Sequence, residues 1–123
     1  MVNAYSYATG PRNTRSAERE SMEDQIAVAL SRTGDTEAFR VLVERYGRVL
    51  QGTAYLMTKD AAVAEELTQD ALLSAWRGIR GFNEDRPIKP WLVRILVNRV
   101  LEHQRRSRLP TMPLDDAPEL RST

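Results

Sequence analysis

Hydrophobic positions recur at helical spacing along most of this chain, and nowhere do they alternate as a half-buried strand requires. Met22, Ile26, Ala29 and Leu30 form an apolar stripe that predicts a short helix opening near Ser21. Ser21 can cap that helix, with Asp24 three residues on in a variant of the capping box, and Gly34 fits just past its end. Asp35 is placed to cap a second helix from Thr36 to Met57. At about 100° per residue, its Phe39, Leu42, Val43, Tyr46, Val49, Leu50, Ala54 and Met57 share one arc of roughly 140°. Gly47 and Gly52 each cost about 1 kcal/mol relative to alanine inside that helix; they would permit close helix approach, which the sequence alone does not establish. Asp60 can cap a third helix reaching Arg80, with Val63, Ala64, Leu67, Ala71, Leu72 and Ala75 turned inward. GFNEDRPIKP, from Gly81 to Pro90, breaks the pattern with one glycine and two prolines. A last amphipathic stretch runs from Trp91 to Arg108, with Leu92, Val93, Leu96, Val97, Val100 and Leu101 on its apolar side.

The two ends lack this periodicity. Residues 1–20 are polar and contain Gly10 and Pro11, as expected of a disordered N-terminal tail. After Arg108, Pro110, Pro113 and Pro118 mark a linker or tail over 109–123. Residues 21–108 then make one all-α domain, a compact bundle of three to four helices.

Composition narrows the chemistry. The 123 residues contain no cysteine and one histidine, His103, so disulfides and thiolate metal sites are excluded and no cofactor is expected. No run of 18 apolar residues and no signal-peptide core is present, which points to the cytoplasm. The net charge of +1 hides a strong asymmetry. Asp60 to Asp70 holds four acids and no base, whereas Arg77 to Arg108 holds nine bases and three acids. That distribution suggests two different partner surfaces.

On the third helix, Glu66, Gln69, Asp70 and Leu73 fall on one outward stripe, a leucine among polar groups that fits an anchor within a polar partner site. On the last helix, Arg94, Asn98, Arg99, Arg105 and Arg106 share the face opposite the core, opposed there only by Glu102. Arginines so arranged suit a polyanion: the guanidinium neutralises phosphate, and asparagine pairs with a base edge. Trp91 either stacks on a base or closes the core, and the core is the favoured reading.

AEELTQDALLSAW (Ala64–Trp76), then Gly81 and Phe82, then WLVRILVNRVLEHQRR (Trp91–Arg106) resembles the promoter-melting domain, region 2, of bacterial sigma factors of the extracytoplasmic-function (ECF) group. GDTEAFRVLVERY (Gly34–Tyr46) is similar to the helix that opens that domain, so the resemblance covers Met22 to Arg108. It implies that Glu66, Gln69, Asp70 and Leu73 dock on the clamp helices of core RNA polymerase. It implies that Arg94 and Asn98 touch the non-template strand of the minus-ten promoter element. The loop of Asn83, Glu84, Asp85, Arg86, Ile88 and Lys89, with Trp91 beside it, would receive a flipped base, and Arg105 and Arg106 would hold phosphates. An anti-sigma factor is a further implied partner. Ile88, Leu72, Lys89, Glu102 and Pro90 depart from the family's usual residues. A complete member carries a second domain, region 4 with its helix-turn-helix, where this chain has its proline-containing end, so a single-domain fragment is expected.

Two other classes compete. Glu65, Glu66 and Asp70 suggest a carboxylate metal enzyme, but di-metal bundles use paired Glu-x-x-His motifs, and Val100 stands three residues before His103. The alternative to a DNA-reading domain is a protein-binding adaptor whose arginines are only solvated.

Overall fold

The structure, a computed structural model, describes residues 14–108; of the tails expected over 1–20 and 109–123, residues 1–13 and 109–123 lie outside the described residues. Helix α1 spans Thr14–Arg32, α2 Thr36–Thr58, α3 Ala61–Gly78 and α4 Ile88–Arg108, with a single 3-10 turn at Ile79–Gly81. No strand occurs among the described residues. The all-α bundle expected from periodicity is the observed architecture. α2 packs against α1, α3 and α4, so it is the central element.

Asp35 and Asp60 act as the expected caps. The Asp35 carboxylate accepts from Ala38 N at 3.1 Å, and that of Asp60 accepts from Val63 N at 3.1 Å. Each satisfies one of the otherwise unpaired amides of a helix's first turn. The α1–α2 turn passes through Gly34 at φ 98°, a conformation glycine adopts without a Cβ clash.

Leu42 and Leu50 of α2, Ile79 of the turn, and Leu92, Leu96 and Val100 of α4 are the most deeply buried large side chains. On α3, Ala64, Ala71 and Ala75 are almost fully buried, and these small residues let its neighbours approach closely. Val43, Tyr46, Met57 and Leu72 line the core's margin. Val49 and Leu101, expected inside, are exposed. At the far end Gln104 Nε2 donates to Met57 O at 2.7 Å, pairing a carbonyl that the last turn of α2 leaves open.

Further expectations are corrected. α1 begins at Thr14 rather than Ser21, because the polar run from Arg15 to Glu20 is helical. Its inward residues are Ala27, Val28 and Ser31, whereas Met22 and Ile26 are 61% and 57% exposed and Leu30 also faces out. Polar partners on α2 set this rotation. Arg45 Nη2 lies 2.8 Å from Glu23 Oε1, Arg45 Nε lies 3.0 Å from Asp24 Oδ1, and the Tyr46 hydroxyl donates to Asp24. A Cβ at Gly47 or Gly52 would meet nothing within 4 Å, so neither glycine marks a close helix contact. Finally, α4 starts at Ile88, and Pro90 sits in its first turn, where its missing N–H costs no hydrogen bond.

Candidate nucleic-acid interface

Burying Ile88, Leu92, Leu96 and Val100 fixes the rotation of α4, and the opposite face follows from it. Arg94, Asn98, Arg105 and Arg106 are all exposed on α4. Arg106 is drawn to Glu102 at 3.0 Å, an exposed i, i+4 pair of the kind that contributes only a few tenths of a kcal/mol. Phosphate can compete for such an arginine. Arg99 instead donates to the Ser74 hydroxyl and ties α4 to α3.

The connection from Phe82 to Pro87 is shorter than expected and is shaped by its own turn. Asn83 Oδ1 accepts from Asp85 N at 3.0 Å, and Asn83 O accepts from Arg86 N at 3.0 Å. The Asn83 amide oxygen is therefore engaged within the loop, leaving its NH2 as the group to offer a base. Phe82 is buried and half-buried Trp91 lies against it, ring centroids 4.8 Å apart and planes at 44°. Trp91 thus closes the core, as favoured, while one side of it still borders a cleft.

That cleft, about 320 Å³, is lined by Phe82, Asn83, Arg86, Trp91 and Arg94 among others. Aromatic surface at the base of a cleft with arginine at its edge combines stacking with phosphate neutralisation. Asn98 and Arg105 extend the polar track along α4. Glu84 is turned away, held by Arg32 at 3.0 Å. Asp85 and Lys89 line a second cleft on the α1 side of the loop. Ile88, expected at the surface among the DNA contacts, is only 2% exposed; as the first residue of α4 it anchors the loop in the core and offers no contact surface. Phe82 entered the sequence reading only as part of a family pattern. An aromatic nine residues before Trp91, directly after Gly81, was the available signal.

The second surface lies on α3. Glu66, Gln69 and Asp70 are exposed and Leu73 is 47% exposed, so the leucine does stand among polar groups facing outward. Among the described residues no group of three or more His, Cys, Asp or Glu side chains is placed to hold a metal, and no helix is long and apolar enough to cross a membrane.

The Sigma-70 region 2 family model matches residues 42–109, more than half of the chain. The chain belongs to the sigma-70 region 2 family. Its sigma region 2 fold is similar to an engineered region 2 of sigmaE in complex with GTAAAA, with a TM-score of 0.63, 29% identity, and coverage of 70% of this chain and 94% of that one. CnrH in complex with the cytosolic domain of CnrY gives the same TM-score of 0.63 at 31% identity, covering 65% of this chain and 52% of CnrH. In sequence, the chain is 38% identical over 99 residues to ECF RNA polymerase sigma factor SigM of Mycobacterium tuberculosis, covering 80% of this chain and 50% of SigM. It is 32% identical over 77 residues to RNA polymerase sigma factor CnrH of Cupriavidus metallidurans, covering 63% of this chain and 40% of CnrH. The chain spans about half the length of the curated relatives it matches. The matched region 2 segment begins within α2, so α1 precedes it.

Proposed function

We propose that this domain binds core RNA polymerase and recognises and melts the minus-ten promoter element by capturing unstacked bases of the non-template strand. The observation that carries this reading is the cleft over Phe82 and Trp91, edged by Asn83, Arg86 and Arg94, at the head of an arginine-faced helix. A base leaving the stack costs a few kcal/mol, which stacking and hydrogen bonds in a cleft can recover. Arg94, Asn98, Arg105 and Arg106 guide the strand along α4, the arginines by charge and Asn98 by hydrogen bonding. The Glu66, Gln69, Asp70 and Leu73 stripe docks on the polymerase clamp helices and leaves the opened strand to α4. Binding, positioning and strand capture suffice for this role, and no group transfer is required. The region 2 neighbour in complex with GTAAAA supports the DNA side of the reading. The complex of CnrH with a CnrY domain supports an anti-sigma protein as a further partner.

The reading is tested by selecting single strands from a random pool with the chain bound to core polymerase, then titrating the selected strand against a scrambled one across a salt series. Selection of a defined motif with salt-dependent affinity is expected. Polymerase binding without any preferred strand would leave the adaptor reading in place.

A further inference from the structure

Arg32, the last residue of α1, makes two contacts that bracket the floor and rim of the cleft. Its Nη1 lies 3.0 Å from Glu84 Oε1, and its Nη2 donates to the backbone carbonyl of Arg80 at 3.1 Å. Arg80 belongs to the 3-10 turn that leads into Phe82, and Glu84 directly follows Asn83. One planar guanidinium therefore spans the chain on either side of Phe82 and Asn83. Its fixed fork suits this role, since both ends are held in a single geometry. α1 is itself clamped to α2 by the contacts of Glu23 and Asp24 with Arg45 and Tyr46. The loop's own hydrogen bonds shape its turn but do not tie it to α1.

We propose that Arg32 is a positioning residue for base selection, transmitting the rigidity of the α1–α2 pair to the turn that presents Phe82 and Asn83. This rests on the strand-capture reading above and assigns a role to α1, which precedes the matched region 2 segment. The role assigned to Arg32 acts on the loop through Arg80 and Glu84, not on a base directly. It narrows the set of loop conformations, so that a base is tested against one cleft shape. A site held to one geometry discriminates better than a site that relaxes around several ligands.

The test uses the full chain with core polymerase and a randomised single-stranded DNA pool, comparing the unaltered protein with Arg32→Ala and Arg32→Lys. Arg32→Ala should flatten the preference at one position of the selected strand by about fivefold or more, the lower end of what a lost base contact costs. Binding to a scrambled strand and to core polymerase should stay unchanged. Arg32→Lys keeps the charge and stem but cannot hold both partners as a planar fork does, so it should keep the melting temperature while recovering only part of the preference. A purely structural role would lower the melting temperature and weaken all strands alike, with the preference profile intact. That result, or a profile for Arg32→Ala that superimposes on the unaltered one, would overturn the proposal alone. Failure of the unaltered protein to select any strand would overturn the function reading and this role with it.

Discussion

The rings of Phe82 and Trp91 meet at 4.8 Å between centroids, and this contact joins the loop to the helix that follows it. Phe82 is buried, so Phe82→Ala removes core surface and loosens the cleft floor together. Buried phenylalanine truncations cost about 3–5 kcal/mol. Urea unfolding of Phe82→Ala should show a loss of that order. Phe82→Leu, which keeps most of the volume, should lose less stability, yet capture strands more weakly because the aromatic ring is gone.

Two glycines should respond in opposite directions. Gly47 lies within α2 with open space where a Cβ would stand, so Gly47→Ala should stabilise the fold by up to about 1 kcal/mol. Gly34 turns the chain at φ 98°, and Gly34→Ala should destabilise it by roughly 1 kcal/mol or more. Thermal melting of the two variants side by side checks both signs.

The Asp24–Tyr46 contact predicts an alkaline weakness. Burial, and then the hydrogen bond to Asp24, raise the Tyr46 phenol above its ordinary value of 10.0. The folded state therefore holds this proton more tightly than the unfolded chain. That stabilisation is complete below pH 10 and drains away as pH climbs toward the folded value. Denaturant midpoints followed upward from about pH 9 should fall more steeply for the unaltered protein than for Tyr46→Phe. Parallel curves would contradict this.

How much of this was legible depends on how local the cause is. The caps at Asp35 and Asp60 could be read directly, because a carboxylate three residues before a free amide acts on its own segment. The inward face of α2 was mostly legible because Phe39, Leu42, Leu50 and Ala54 form one uninterrupted arc. The rotation of α1 was not. Met22, Ile26 and Leu30 compete there with Ala27 and Val28, and the decision is made by the contacts of Glu23 with Arg45 and of Asp24 with Tyr46, each spanning 22 residues. Ile88 was misplaced for a similar reason. Two nearby prolines read as loop, yet a proline in a first turn is compatible with helix, and burial of Ile88 draws the helix start inward. Of the candidate interface, the exposed arginines and Asn98 followed from helical spacing. The cleft itself needed Phe82 against Trp91, and the tie between Arg32 and Glu84 has no local signature at all.

On the α3 surface, Asp70→Lys reverses an exposed charge within the stripe that contains half-exposed Leu73. It should weaken co-purification with core polymerase several-fold, by about 1–2 kcal/mol as for a partly buried interface contact, with circular dichroism unchanged. Full retention of polymerase binding would remove this stripe from the docking surface.

The proposed division of roles, base reading by Asn98 and phosphate holding by Arg105, is separated by paired salt titrations of Asn98→Ala and Arg105→Ala. Each variant, bound to core polymerase, is titrated with the selected strand and a scrambled strand over a range of salt concentrations. Arg105→Ala should weaken both strands alike and reduce the salt slope by about one ion. Asn98→Ala should leave the slope nearly unchanged and narrow the gap between the two strands by roughly 1–3 kcal/mol. If Asn98→Ala weakens both strands equally, and no loop or α4 substitution changes the gap, the helix holds the strand without reading it, which contradicts the proposed base capture.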